Sequence, residues 1–238
     1  MLANEAKTVH TSVLAQALIA VFVCGHGLSP CRAQVSPHLE AEELCVTNGH
    51  IRKLPDGRFS IATPSSRATV RYHTVGATEL TFRYLGPTSL SKPLASGALR
   101  RQIGLKLRAQ DTCNLVYVMW RLEPEQGLAV SVKRNPGLST HDRCGAHGYN
   151  AFTSPRKTRL PPVIVGEQHN LRAELTGSLL KVFTDGMLAW TGDLGVEVLQ
   201  IEGPVGIRTD NAQLEFVLDA GTPVALSPAP HCAHNVED

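Results

Sequence analysis

Aromatic side chains are scarce in this chain of 238 residues: two Trp, four Tyr and six Phe make up 5% of it. A core must therefore be filled from Leu, Val, Ile and Ala, and a surface that stacks on a flat ligand has few rings to draw on. An excess of one charge is missing too. With 23 Lys and Arg against 21 Asp and Glu the net charge is +2, a balance that argues against a nucleic-acid partner, which needs a clustered basic face. No hydrophobic run approaches the roughly 20 residues that cross a bilayer as a helix. The one apolar run of note, 13–23, has 11 residues, so no membrane span is expected in the mature chain. Long helical patterns are also absent. Fifteen Pro and twenty Gly divide the chain into short elements joined by turns.

The 13–23 run has another use. Lys7 lies before it, and Cys31-Arg32-Ala33 places small residues at the −3 and −1 positions of a cleavage site. Residues 1–33 are thus predicted to be a signal peptide, with a buried N-terminal helix as the alternative. Neither Val23 before Cys24 nor Pro30 before Cys31 suits a lipoprotein site. Cleavage leaves a domain over 34–220, a tail over 221–238 rich in Pro and Ala, and 21 basic and 20 acidic residues. The expected location is extracytoplasmic, either secreted or periplasmic. Four cysteines remain, Cys45, Cys113, Cys144 and Cys232, and an even number in an oxidising compartment implies disulfides. Three connectivities are open. The preferred one joins Cys113 to Cys144, closing a local strand and loop, and Cys45 to Cys232, since the ends of a single domain usually lie close.

From residue 44 onward the pattern alternates with period two. Leu80, Phe82 and Tyr84 alternate with Thr81 and Arg83; Ile103, Leu105 and Leu107 with Gly104 and Lys106; Leu128, Val130 and Val132 with Ala129 and Ser131. The same holds for Leu171, Ala173 and Leu175, and for Leu214, Phe216 and Leu218. Each is a half-buried strand with one apolar face. Residues 115–120 (LVYVMW) are apolar on both faces, which predicts a strand covered on both sides. Pro55-Asp56-Gly57, Thr176-Gly177-Ser178 and Asp185-Gly186 supply turns, the last two making 168–190 a three-stranded meander. Stretches 86–100 and 134–162 read as long loops. No linker is visible, so one all-β domain is predicted.

Gln168-His169-Asn170-Leu171 through Asp185-Gly186-Met187-Leu188-Ala189-Trp190 resembles the laminin-G and concanavalin A-like superfamily of lectins and glucanases. Gly203-Pro204-Val205-Gly206-Ile207-Arg208 is similar to the closing strand of that group, including its secreted glycoside-hydrolase-like branch, and Cys113 through Arg121 to its Asn-led strand. The resemblance covers roughly 100–218. It implies a jelly-roll sandwich of two antiparallel sheets and contact with a carbohydrate or an extracellular protein. It also makes Asp185, Asp210 and Asn211 candidates for calcium; one acid per turn is thin for that ion, and no cofactor is expected.

Chemical signatures are few. The paired-carboxylate strand of the laminarinase-like relatives is absent, and Glu123-Pro124-Glu125 reads as a hairpin tip. His141-x-x-Cys144-x-x-His147 has metal-like spacing, but a disulfide-bonded Cys144 is no thiolate ligand, so no metal is expected. Ser139-Thr140-His141-Asp142 holds triad residue types in adjacent positions that cannot form a triad. Trp120 reads as core. Tyr149, Asn150 and Phe152 in the long loop, and Trp190 half exposed after the return strand, are the ligand-binding candidates. An exported, disulfide-stabilised binding domain is the favoured function, with a secreted glycan hydrolase or a protein-contact envelope domain as alternatives.

Overall fold

The computed structural model describes residues 39–153, 159–224 and Cys232, all within one compact unit, Ser36–Asp238. The predicted signal peptide lies outside the described residues. In chain order the strands are β1 (Leu44–Asn48), β2 (Ile51–Lys53), β3 (Phe59–Ile61), β4 (Ser65–Val70), β5 (Thr74–Val75), β6 (Ala77–Pro87), β7 (Arg101–Leu107) and β8 (Leu115–Glu123). There follow β9 (Gly127–Lys133), the helical turn α1 (His141–Cys144), β10 (Tyr149–Phe152), β11 (Gln168–Thr176), β12 (Leu179–Thr184), β13 (Met187–Asp193), β14 (Gly206–Asp210), β15 (Ala212–Asp219) and β16 (Thr222–Pro223).

Two seven-stranded sheets form the sandwich. The first has the order β1-β4-β14-β7-β8-β9-β10, the second β13-β12-β11-β6-β15-β3-β2, and β16 pairs with β5 as a separate ribbon. Every pairing is antiparallel. The alternation in sequence decides which side chains meet between the sheets. Ile103, Leu105, Val116, Val118, Val130 and Ile207 from the first sheet face Leu80, Phe82, Leu171, Val182, Leu214 and Phe216 from the second in one continuous core. Trp120 lies within it, its ring edge-on to Phe82 at 5.9 Å between centroids. The meander of β11, β12 and β13 forms with its predicted turns.

Both preferred disulfides are present, Cys45–Cys232 and Cys113–Cys144. Two expectations change. The stretch 134–162 is not simply a loop: it contains α1 and the edge strand β10, which pairs with β9 from Tyr149 opposite Lys133 to Phe152 opposite Val130. The stretch 221–238 is not wholly a tail, because β16 pairs with β5 and Cys232 is bridged to β1. Both errors have one cause, namely that edge pairing and bridges are long-range and leave little local pattern.

Candidate binding cleft

The outer face of the first sheet is assembled by register from strands far apart in sequence. Across one row Arg67 of β4 stands beside Arg208 of β14, then Gly104 of β7, Met119 of β8 and Ala129 of β9. The next row runs through Lys106, Tyr117, Ser131 and Ala151. A third sets Asp210 beside Gln102 and Gln102 beside Arg121. Most of these positions, though not Gly104, Lys106 or Asp210, line a cleft of about 340 Å³, walled on one side by residues 94–96 with Arg100 and on the other by His141, Gly145 and Ala146 of the disulfide loop.

The floor is a stacked column. The Arg208 guanidinium lies 4.8 Å from the centre of the Tyr117 ring, Tyr117 stacks on Tyr149 at 6.1 Å with the rings 21° apart, and Lys133 Nζ lies 5.2 Å from the Tyr149 centre. Gly104 makes the close approach of β7 to β8 possible, since a Cβ there would meet the Val118 carbonyl oxygen at 2.2 Å. Arg208 Nε donates to Asp210 Oδ2 at 2.9 Å, and Gln102 Nε2 donates to the same oxygen at 2.6 Å. Burial works against the charge of Arg208, but Asp210, with Tyr117 and Tyr149, outweighs it and holds the guanidinium well above its ordinary pKa. Arg208 is therefore a fixed cation.

The wall is secured from below. Lys133, fully buried, donates from Nζ to the Thr112 and Gly145 carbonyl oxygens at 3.0 and 2.8 Å. Asn114 Nδ2 donates to Leu138 O at 2.8 Å, and its Oδ1 accepts from the Asn135 amide at 2.8 Å. With Cys113–Cys144 these bonds tie the 134–148 segment to the start of β8 at several points.

Of the sequence candidates, the structure places Tyr149 in the cleft, 44% exposed. Asn150 is exposed too, but it pairs with the core residue Val132, and alternation puts it on the opposite side of β10. Phe152 is partly buried against the core. It lines a second cleft of about 600 Å³ with Trp190, Arg121 and Arg159. Trp190 is not half exposed: it is 3% exposed and belongs to the core, its ring packed over Gly192, where a Cβ would meet Cη2 at 2.7 Å. Asp185 accepts from the Asn170 amide and sits 2.9 Å from His169 Nδ1. Asn211 is engaged by the Lys92 amide and carbonyl and the Arg100 carbonyl. With Asp210 holding Arg208, each of the three calcium candidates already bonds the protein. Among the described residues no three His, Cys, Asp or Glu side chains are grouped to hold a metal.

Arg67, Arg100, Gln102, Arg121 and Arg208 were not singled out by the sequence. Their spacing carries no local motif; only the strand register unites them.

No protein-family model matches the chain, and no curated protein sequence does. Among solved structures the chain is similar to the carbohydrate-binding module CBM66 from Bacillus subtilis, with 14% identity over 74% of this chain and 93% of that one and a TM-score of 0.51. It is also similar to the carbohydrate recognition domain of Emp46p, at 17% identity over 76% and 89% of the two chains and a TM-score of 0.41. A third is SCLam, a non-specific endo-β-1,3(4)-glucanase of family GH16, at 10% identity over 76% and 83% and a TM-score of 0.44. The first of these likenesses shows a shared fold, a jelly-roll sandwich of two antiparallel sheets.

Proposed function

We propose that the chain is an exported carbohydrate-binding domain and that the cleft on the first sheet is where the saccharide lies. The observation that carries this reading is Tyr149. An exposed phenol ring, backed by Tyr117 and flanked by Lys133, is held at the mouth of a cleft whose lining mixes arginines, Gln102 and Ser131 with Leu94, Met119 and several alanines. Pyranose rings present a C–H face that packs on an aromatic ring and a rim of hydroxyls that needs donors and acceptors. Gln102, Ser131 and the arginines supply the second requirement. A fold shared with a carbohydrate-binding module supports the reading by analogy. Two disulfides support export, because such bridges persist where thiols are not kept reduced.

The glycan-hydrolase alternative asks for two carboxylates facing each other across the bound sugar. Among the described residues no Asp or Glu lines the cleft, so binding is the better reading of this geometry.

The test is a glycan-array screen of the purified protein with calcium and with EDTA, repeated with Tyr149→Ala. Binding is expected in both buffers, since Asp185, Asp210 and Asn211 are engaged in internal bonds. Tyr149→Ala is expected to abolish it while changing the melting temperature by no more than about 2 °C, as suits a ring this exposed. A variant that melts much earlier yet binds normally would place Tyr149 in the scaffold and the site elsewhere.

A further inference from the structure

The cleft is far more basic than the chain. Four of its lining side chains are arginines, Arg67, Arg100, Arg121 and Arg208, and His141 stands at one wall. Asp210 answers Arg208 from beneath. Neither Arg100 nor Arg121 forms a side-chain ion pair or hydrogen bond among the described residues, and Nε of Arg121 is buried without a partner. Burial and then the neighbouring Arg100 weaken the hold of Arg121 on its proton, with Glu125 acting the other way. Two like charges turned toward one partly dry space repel each other, and a buried donor left unmade costs stability. An arrangement of that kind is relieved by an anion.

We propose that this cleft takes an acidic saccharide, its carboxylate or sulfate bound by Arg100 and Arg121 while a sugar ring lies against Tyr149. The proposal rests on the carbohydrate reading above and adds the charge of the ligand to it. Guanidinium forks match the planar or tetrahedral oxygens of carboxylate and sulfate, and charge-assisted hydrogen bonds are about twice as strong as neutral ones. The arginines can also donate to the hydroxyls of a neutral sugar, but only an anion offsets the repulsion among several cations with no carboxylate lining the cleft beside them. Arg208, locked by Asp210 over Tyr117, positions the aromatic floor. Arg100 and Arg121 are left to meet the ligand.

Titration calorimetry with the full chain tests this. The probes are a tetragalacturonate and a heparin-type sulfated tetrasaccharide, together with the carboxyl-reduced and desulfated form of each and a single-stranded oligonucleotide. At least one acidic probe is expected to bind at least tenfold tighter than its neutral counterpart, and which one it is separates carboxylate from sulfate recognition. That affinity should fall several-fold between 50 and 300 mM NaCl. Arg100→Gln and Arg121→Gln should each weaken it about tenfold with the melting temperature retained; Arg100, on a loop, is the safer of the two for folding. Equal affinity for acidic and neutral forms would overturn the charge assignment and leave the carbohydrate reading intact. Binding of acidic probes that survives both substitutions together would overturn the assignment to this cleft. No binding to any saccharide would sink both readings, and binding to the oligonucleotide alone would replace them.

Discussion

Arg208 and Asp210 stand two residues apart on β14, so their side chains leave the same face of the sheet, and both are buried there. A buried ion pair is fragile in one particular way. Removing the partner strands a charge, whereas removing both charges together costs much less. Asp210→Asn keeps the shape but not the charge, and is expected to lower the unfolding free energy by about 3 kcal/mol or more. Adding Arg208→Met to that variant should recover much of the loss. Denaturant midpoints of the two variants measure this, and a loss below about 1 kcal/mol for Asp210→Asn would show that water already serves the guanidinium. The residue scale is also where the sequence was least legible. Tyr149 could be picked out because aromatics are rare, but the arginines around it lie at positions 67, 100, 121 and 208, and each reads locally as an ordinary polar position. The net charge of +2 hid their gathering, since composition averages over faces.

At the scale of elements most of the fold was legible. Alternation found the strands whose inner faces build the core, and Asp-Gly and Gly-Ser found the turns of the meander, because those signals are local. What alternation cannot supply is which sheet a strand joins or which residue it stands beside. β14 follows β13 in sequence but inserts between β4 and β7, and only that insertion brings Arg208 between Arg67 and Gly104. The strand at 115–120 looked covered on both faces. One face is indeed core, and the other, with Tyr117 and Met119, is the cleft floor. The β7–β8 pairing there tolerates no side chain at position 104. Gly104→Ala is expected to destabilise the protein by about 2 kcal/mol, because its Cβ meets backbone that cannot move aside. Gly127→Ala, with nothing within 4 Å, is the control and should be close to neutral. Thermal melts of the pair decide it; equal stability would mean that the two strands separate more easily than their register suggests.

For the molecule as a whole, the two bridges act on different parts. Cys113–Cys144 closes a loop across 31 positions and anchors one wall of the cleft. Chain-entropy reasoning puts its contribution at about 3–4 kcal/mol. Replacing both cysteines by Ser should lower stability by that order and weaken ligand binding as the wall loosens. The wild-type chain, denatured without reductant, should show no alkylation at Cys45, Cys113, Cys144 or Cys232. Labelling at Cys144 in the native protein would contradict the bridge. The second bridge, Cys45–Cys232, spans 187 positions and thereby encloses β2 through β16 in one covalent ring. Under mechanical load this matters more than stability does. A pull applied through the two ends of the chain enters at Cys45, passes across the sulfur bond and leaves at Cys232, without peeling strand from strand. Roughly 640 Å of chain is thereby withheld from stretching, and the sheets that carry the cleft stay unloaded until a reductant cuts the ring.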